Sequence, residues 1–134
     1  MDAAEARRRF AAARVARLAT ADAVAQPHIV PVTFVVDGDF VYSAIDHKPK
    51  WTTALKRLAN IEANSRVALL ADEYDDDWSR LWWVRADGSA RVLEPGAAPA
   101  VELLCDRYEQ YRERPPEGPV IEVRVERWSG WSAE

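Results

Sequence analysis

The chain has 134 residues, 49% hydrophobic and 30% charged, with a net charge of −4 and a pI of about 5.3. Residues 1–134 are long enough for one domain that buries roughly two-thirds of the unfolded chain's surface. The acidic balance excludes nucleic-acid binding through a broad basic surface, one cysteine excludes an intramolecular disulfide, and no apolar run reaches the ~18 residues of a membrane span.

Residues 2–13 are rich in Ala, Glu and Arg and read as a short helix, with Phe10 as its only large apolar anchor and therefore loosely packed. The N-terminal stretch carries arginines and two acids but no apolar h-region, so no signal peptide is expected. A cytoplasmic protein without membrane or nucleic-acid partners follows as the expectation. Val15 to Thr20 alternates as a strand, and Ala21 to Gln26 reads as a turn. Pro27 to Val36, PHIVPVTFVV, is dense in β-branched residues and predicts one strand. Pro31 cannot donate to a ladder, which places that strand at an edge or a bulge. Asp37-Gly38 predicts a hairpin turn into a strand over Phe40 to Ile45.

Asp46 to Lys50 then forms a basic loop ahead of a helix from Trp51 to Ala63, with Trp51, Ala54, Leu55, Leu58 and Ile61 on one face. The chain writes fifteen of its cations as Arg and only three as Lys, and all three lysines (Lys48, Lys50 and Lys56) lie here. A helix start presents unpaired N–H groups and partial positive charge, and lysine adds a mobile point charge. The stretch reads either as an anion-binding corner, most simply for a phosphorylated cofactor, or as a solvated helix start.

Arg66 to Ala71 predicts a buried strand, and Asp72 to Asp77 a solvated acidic loop without EF-hand spacing. Trp78 to Ala86 and Ser89 to Leu93 read as a second hairpin, turning at Asp87-Gly88. Ala98 to Arg114 predicts the longest helix, with the apolar stripe Val101, Leu104, Cys105, Tyr108 and Tyr111. On that stripe Cys105 reads as a small core residue. Val120 to Arg127 is a last strand, and residues 128–134 form a tail. Six or seven strands, mostly in antiparallel hairpins with inserted helices, predict a mainly β (α+β) fold, a closed or split antiparallel barrel.

No GxGxxG, Walker A or GxSxG motif is present, and His28 and His47 lack metal spacing. What remains is cofactor chemistry, in which the protein supplies the pocket.

Three stretches carry a resemblance: PHIVPVTFVVDGDFVYSAIDHKPK, LKRLANIEANSRVALLADEYDDDWSRLWWVRADGSARV and RWSGW. They resemble the pyridoxamine-phosphate-oxidase-like proteins of the FMN-binding split-barrel type. Within that group they are most similar to the actinobacterial branch that uses the deazaflavin coenzyme F-420 (8-hydroxy-5-deazaflavin) in place of FMN. The resemblance implies a homodimer with the cofactor at the subunit interface and a small-molecule substrate. It implies that Lys48, Lys50, Trp51 and Thr52, with Arg57, hold the cofactor phosphate. Pro31, Val32 and Thr33 would line the ring system, Ser43 would face the cofactor, and Trp82 or Trp83 would come from the partner subunit or the back of the pocket. The three tryptophans Trp78, Trp82 and Trp83 read equally as core or dimer-interface residues. Arg7, Arg8, Arg9, Lys56 and Arg57 are candidate partners for the acidic tail of the deazaflavin, or a solvated arginine run. The implied activity is hydride transfer between the reduced deazaflavin and a small organic acceptor, with FMN as the alternative cofactor and a non-catalytic carrier as the alternative role. No histidine follows His47, whereas pyridoxamine-phosphate oxidases end in a basic, histidine-containing segment, which argues against vitamin-B6 oxidation.

Overall fold

The interruption of the Pro27 to Val36 run is what closes the molecule. In the computed structural model, which describes residues 1–45 and 51–133 and only the backbone of 51–55, the run divides into β2 (Pro27–Val32) and β3 (Val35–Asp37). The other strands are β1 (Ala16–Ala21), β4 (Phe40–Ala44), β5 (Arg66–Glu73), β6 (Trp82–Leu93) and β7 (Val120–Ser132). All pair antiparallel in the order β2-β1-β5-β6-β7-β4-β3, so β2 and β3 are opposite edges of one sheet. Val32 and Val35 are three residues apart and span at most roughly 10 Å. The two edges must therefore curl together, and Thr33-Phe34 is the seam of a split barrel. Pro31 stands on an edge strand, where its missing N–H leaves no ladder bond unmade.

The interior holds Leu18, Phe34, Val41, Leu69, Val84, Ala86, Ile121 and Val123, all buried. Helix α1 (Ala3–Ala12) closes this core at one end. Asp2 caps it by accepting from the Glu5 N–H at 2.8 Å. Phe10 is fully buried rather than loosely packed, its ring 4.9 Å from that of Phe34 and 5.6 Å from that of Trp128. A single large side chain suffices because the barrel end offers it an aromatic socket. A second, smaller core of Tyr42, Ala44, Val120, Leu104 and Tyr111 lies on the outside of β4 and β7, under α3 (Ala100–Arg107) and α4 (Glu109–Glu113). Strand β4 is thus buried on both faces, Val41 and Ile45 inward and Tyr42 and Ala44 outward.

Besides the split of the Pro27 to Val36 run, and the extension of β5 through Asp72 and Glu73 of the predicted acidic loop, four predicted boundaries change. Asp87-Gly88 does not turn: β6 runs unbroken through it, paired with β5 on one side and β7 on the other. The predicted helix over Ala98 to Arg114 breaks at Tyr108, whose backbone is extended (φ −114°, ψ 120°), so α3 and α4 are separate. The tail is not a tail, because β7 continues to Ser132 and pairs Trp131 with Trp83. Trp78–Arg80 is a 3-10 turn capped by the Asp77 carboxylate, which accepts from the Ser79 N–H at 3.1 Å, and β6 begins after it. Helix α2 (Trp51–Ala63) starts and stops where the pattern places it, while the basic loop of Asp46, His47, Lys48, Pro49 and Lys50 lies outside the described residues. No helix among the described residues is long and apolar enough to cross a membrane.

Candidate functional site

The seam is sealed by side chains. Thr33 and Phe34 follow the last paired residue of β2, so their backbone groups have no sheet partner on that side. Tyr108 replaces one: its hydroxyl accepts from the Phe34 N–H and donates to the Phe34 carbonyl, each at 3.0 Å. Arg107 donates to the same carbonyl at 3.1 Å and to the Ala13 carbonyl, tying the seam to the segment after α1. Its guanidinium lies 4.5 Å from the Phe34 ring centroid and 5.4 Å from that of Tyr108. The Thr33 and Tyr111 hydroxyls are hydrogen-bonded at 2.8 Å. Tyr108, at the break between α3 and α4, and Tyr111, on α4, both reach the seam. Beside the seam opens a cleft of about 330 Å³ lined by Thr33, Tyr108, Gln110 and Tyr111.

Helix α2 is fixed on the barrel by the buried bond from Asn60 Nδ2 to Thr20 Oγ1, 3.0 Å, and by Ile61 in the main core. Its first residue is Trp51, directly behind Lys48 and Lys50. The backbone donors of the first turn and two ammonium groups therefore come from one stretch, a donor set suited to a phosphate. Arg57 lies half-buried one and a half turns on. Lys56 instead reaches Asp22, at 3.4 Å, the carboxylate that organises the β1–β2 turn by accepting from the Val24 and Gln26 N–H groups. The Gln26 bond, with smaller contributions from Val24 and Lys56, lowers the Asp22 pKa.

The remaining predicted residues lie at different depths. Pro31 and Thr33 are exposed and Val32 packs on the core. Ser43 is buried on the inward side of β4, between Val41 and Ile45. Trp82 faces inward under α1, with the Arg9 guanidinium 5.7 Å from its ring centroid, and Trp83 faces outward beneath Arg85 at 5.8 Å. Both stand on β6, three strands from β2, roughly 14 Å along the sheet. Within one chain they are not adjacent to Pro31, Val32 and Thr33 in the sheet. The arginine run is also divided: Arg7 points to Asp39, whereas Arg8 and Arg9 bond Glu5 at 2.6 and 2.8 Å. Those two bonds, Arg8 first, hold the Glu5 pKa down to about 2. A larger cleft of about 620 Å³ lies beside this helix, its walls mixing Arg8, Arg9 and Arg14 with Asp72 and Glu73.

A family model described as pyridoxamine 5'-phosphate oxidase matches residues 3–132. The chain belongs to that family. Three similar solved structures are each under 25% identical to the chain and show the fold alone. A conserved hypothetical protein of Mycobacterium tuberculosis is 19% identical, with a TM-score of 0.75 over 100% of this chain and 86% of its own. An FAD-binding protein of Mesorhizobium loti is 23% identical, with a TM-score of 0.68 over 97% and 92%. The heme storage protein HutZ of Vibrio cholerae is 16% identical, with a TM-score of 0.69 over 98% and 95%. No curated protein matches.

Against this family background, what the sequence reading missed is the contribution of α3 and α4. Tyr108 and Tyr111 read as an apolar stripe, and helical spacing carries no sign that their hydroxyls reach Thr33 and Phe34, more than seventy residues away. Among the described residues no cluster of three metal-ligating side chains occurs.

Proposed function

We propose that the protein is an oxidoreductase that binds the deazaflavin coenzyme F-420, or alternatively FMN, and serves hydride transfer between the reduced cofactor and a small organic acceptor. The observation that carries this is α2, a thirteen-residue helix anchored on the barrel, whose first residue follows Lys48 and Lys50 in the sequence. In this reading Lys48, Lys50, Trp51 and Thr52 hold the phosphate, with Arg57 behind them. Pro31, Val32 and Thr33 meet the ring at the barrel seam, and Ser43 supports it from β4. The bound cofactor supplies the two-electron chemistry, and the chain's own residues orient it and exclude water.

A homodimer with the cofactor at the interface fits the outer face of the sheet. Ile29 there is 61% exposed, and Trp83 and Trp131 pair across β6 and β7 on the same surface. Such aromatic and aliphatic groups are suited to a partner copy, from which the outward Trp83, rather than the inward Trp82, would reach the second cofactor. The FAD-binding protein of Mesorhizobium loti supports a flavin-type ligand. HutZ, described as a storage protein on the same barrel, supports the second reading, a carrier without turnover.

Tryptophan-fluorescence titration with coenzyme F-420 and with FMN, on the protein and on Lys50→Ala, tests the reading. Tight deazaflavin binding lost on Lys50→Ala supports it, and turnover with conjugated acceptors then separates enzyme from carrier. Preferential FMN binding selects the alternative cofactor, and binding of neither overturns the proposal.

A further inference from the structure

We infer that the larger cleft, between α1 and the adjoining ends of β5 and β6, binds a free short peptide of two or three residues, its carboxylate on Arg14 and its ammonium on Glu73. The cofactor reading does not enter. Helix α2 is pinned at Thr20, five residues along from the cleft's Val15, or roughly 17 Å.

The backbone beneath both charges is held. Glu73 stands opposite Trp82 in the β5–β6 ladder and continues the inward row of Leu69 and Ala71, so it emerges at the barrel rim beside α1. Arg14 lies in the short link between α1 and β1. Just before it, the Ala13 N–H donates to the Phe10 carbonyl at 3.1 Å, and the Ala13 carbonyl accepts from Arg107. A ligand therefore has only side chains to order, which keeps the cost of binding low.

The charges decide the class. Arg8 and Arg9 bond Glu5, Arg9 also lies against the Trp82 ring, and Asp72 is met by Arg17 at 3.2 Å. Arg14 and Glu73 differ from these: both are exposed, and among the described residues neither makes an ion pair. A purely anionic ligand would gain Arg14 but be repelled by Glu73 and Asp72, and a purely cationic one would meet the guanidiniums. A zwitterion gains at both ends. Arginine offers a carboxylate two parallel donors, and the Glu73 carboxylate accepts from an ammonium. Size sets the spacing. A cleft of about 620 Å³ is roughly 10 Å across, the length of an extended tripeptide, whereas a single amino acid spans about a third of it. Val15 and Trp82 supply apolar surface for small side chains.

Calorimetry of the protein without added cofactor, comparing trialanine with N-acetyl-trialanine and trialanine amide, tests the inference. Trialanine should bind about fivefold tighter than either blocked form, the size of one partly exposed ion pair. Arg14→Gln should erase the preference over the amide and keep that over the acetylated peptide, and Glu73→Gln should do the reverse. Both residues are exposed, so both variants should fold normally, and a reciprocal pattern is not what general loss of structure gives. No binding of trialanine overturns the inference. Equal binding of the acetylated peptide overturns it too and makes the cleft a socket for a protein C-terminus. Displacement of trialanine by coenzyme F-420 would assign the cleft to that coenzyme's acidic tail and likewise overturn it. The expected pattern in a protein that binds neither deazaflavin nor FMN supports the inference and sinks the cofactor reading alone.

Discussion

Two Asp-Gly pairs occupy this chain, and they do opposite things. Asp37-Gly38 turns: Gly38 has φ +61°, Asp37 pairs with Phe40 across the hairpin, and a Cβ added at Gly38 would meet nothing within 4 Å. Asp87-Gly88 runs straight through the middle of β6. Asp87 faces Arg127 and Gly88 faces Val125, which leaves Glu126 as the extra residue of a bulge on β7. A Cβ at Gly88 would lie 2.1 Å from the Arg124 carbonyl oxygen. The first glycine is present for its dihedral freedom and the second for its lack of volume. Local turn chemistry is the same in both. What differs is that Asp87-Gly88 is flanked by partners on two sides, β5 and β7, whose paired backbone outweighs the turn.

The comparison is most easily broken at its strained end. Gly88→Ala should destabilise by about 4 kcal/mol, because the opposing atoms are backbone and cannot step aside. Urea denaturation measures this, and a loss below about 1 kcal/mol would show that β7 yields and that volume is not the reason for the glycine. Tyr108→Phe extends the contrast to the seam, where side chains substitute for a strand. It should cost about 2 kcal/mol by leaving the Phe34 N–H and carbonyl under-satisfied, and amide exchange at Phe34 should accelerate with it. Gly38→Ala, at the open turn, should cost only about 1 kcal/mol, and Gly38→Asn less, since Asn tolerates the left-handed region.

The smallest effect concerns α1, which lies over the β6–β7 ribbon. Hydrogen bonds from Arg8 and then Arg9 hold Glu5 at about 2, below its ordinary 4.5. A carboxyl depressed in the folded state contributes stability above its unfolded value and loses it as pH falls through the folded one. The native protein should therefore lose its small advantage over Glu5→Gln between about pH 4.5 and 2, read from acid-unfolding curves of the two. Curves that stay parallel through that window would remove the pair from any role in holding α1.

Most elements were legible because their cause is local. Alternation marked β1, β4 and the first part of β7, an apolar run marked β5, helical spacing marked α2 to its final residue, and Pro31 marked an edge or a bulge. At the proposed site the sequence showed one half only. Lysines ahead of a helix start are a pattern along the chain, so Lys48 and Lys50 could be singled out by inspection. Thr33, Tyr108 and Tyr111 meet across more than seventy residues, and their hydroxyls are silent in an apolar stripe. Phe10 looked like a loose anchor for the same reason: its socket, Phe34 and Trp128, comes from the distant seam and from β7.

By itself the sequence determined an antiparallel, mainly β chain with inserted helices and the family whose motifs it carries. Only the tertiary structure decided which Asp-Gly turns, where the last long helix breaks, and that Thr33-Phe34 is the seam of the barrel. Periodicity and turn chemistry act over a few residues and are written in order along the chain. Closing a sheet on itself pairs the backbones of distant residues, and the contacts that stabilise the closure outweigh local preference wherever the two disagree.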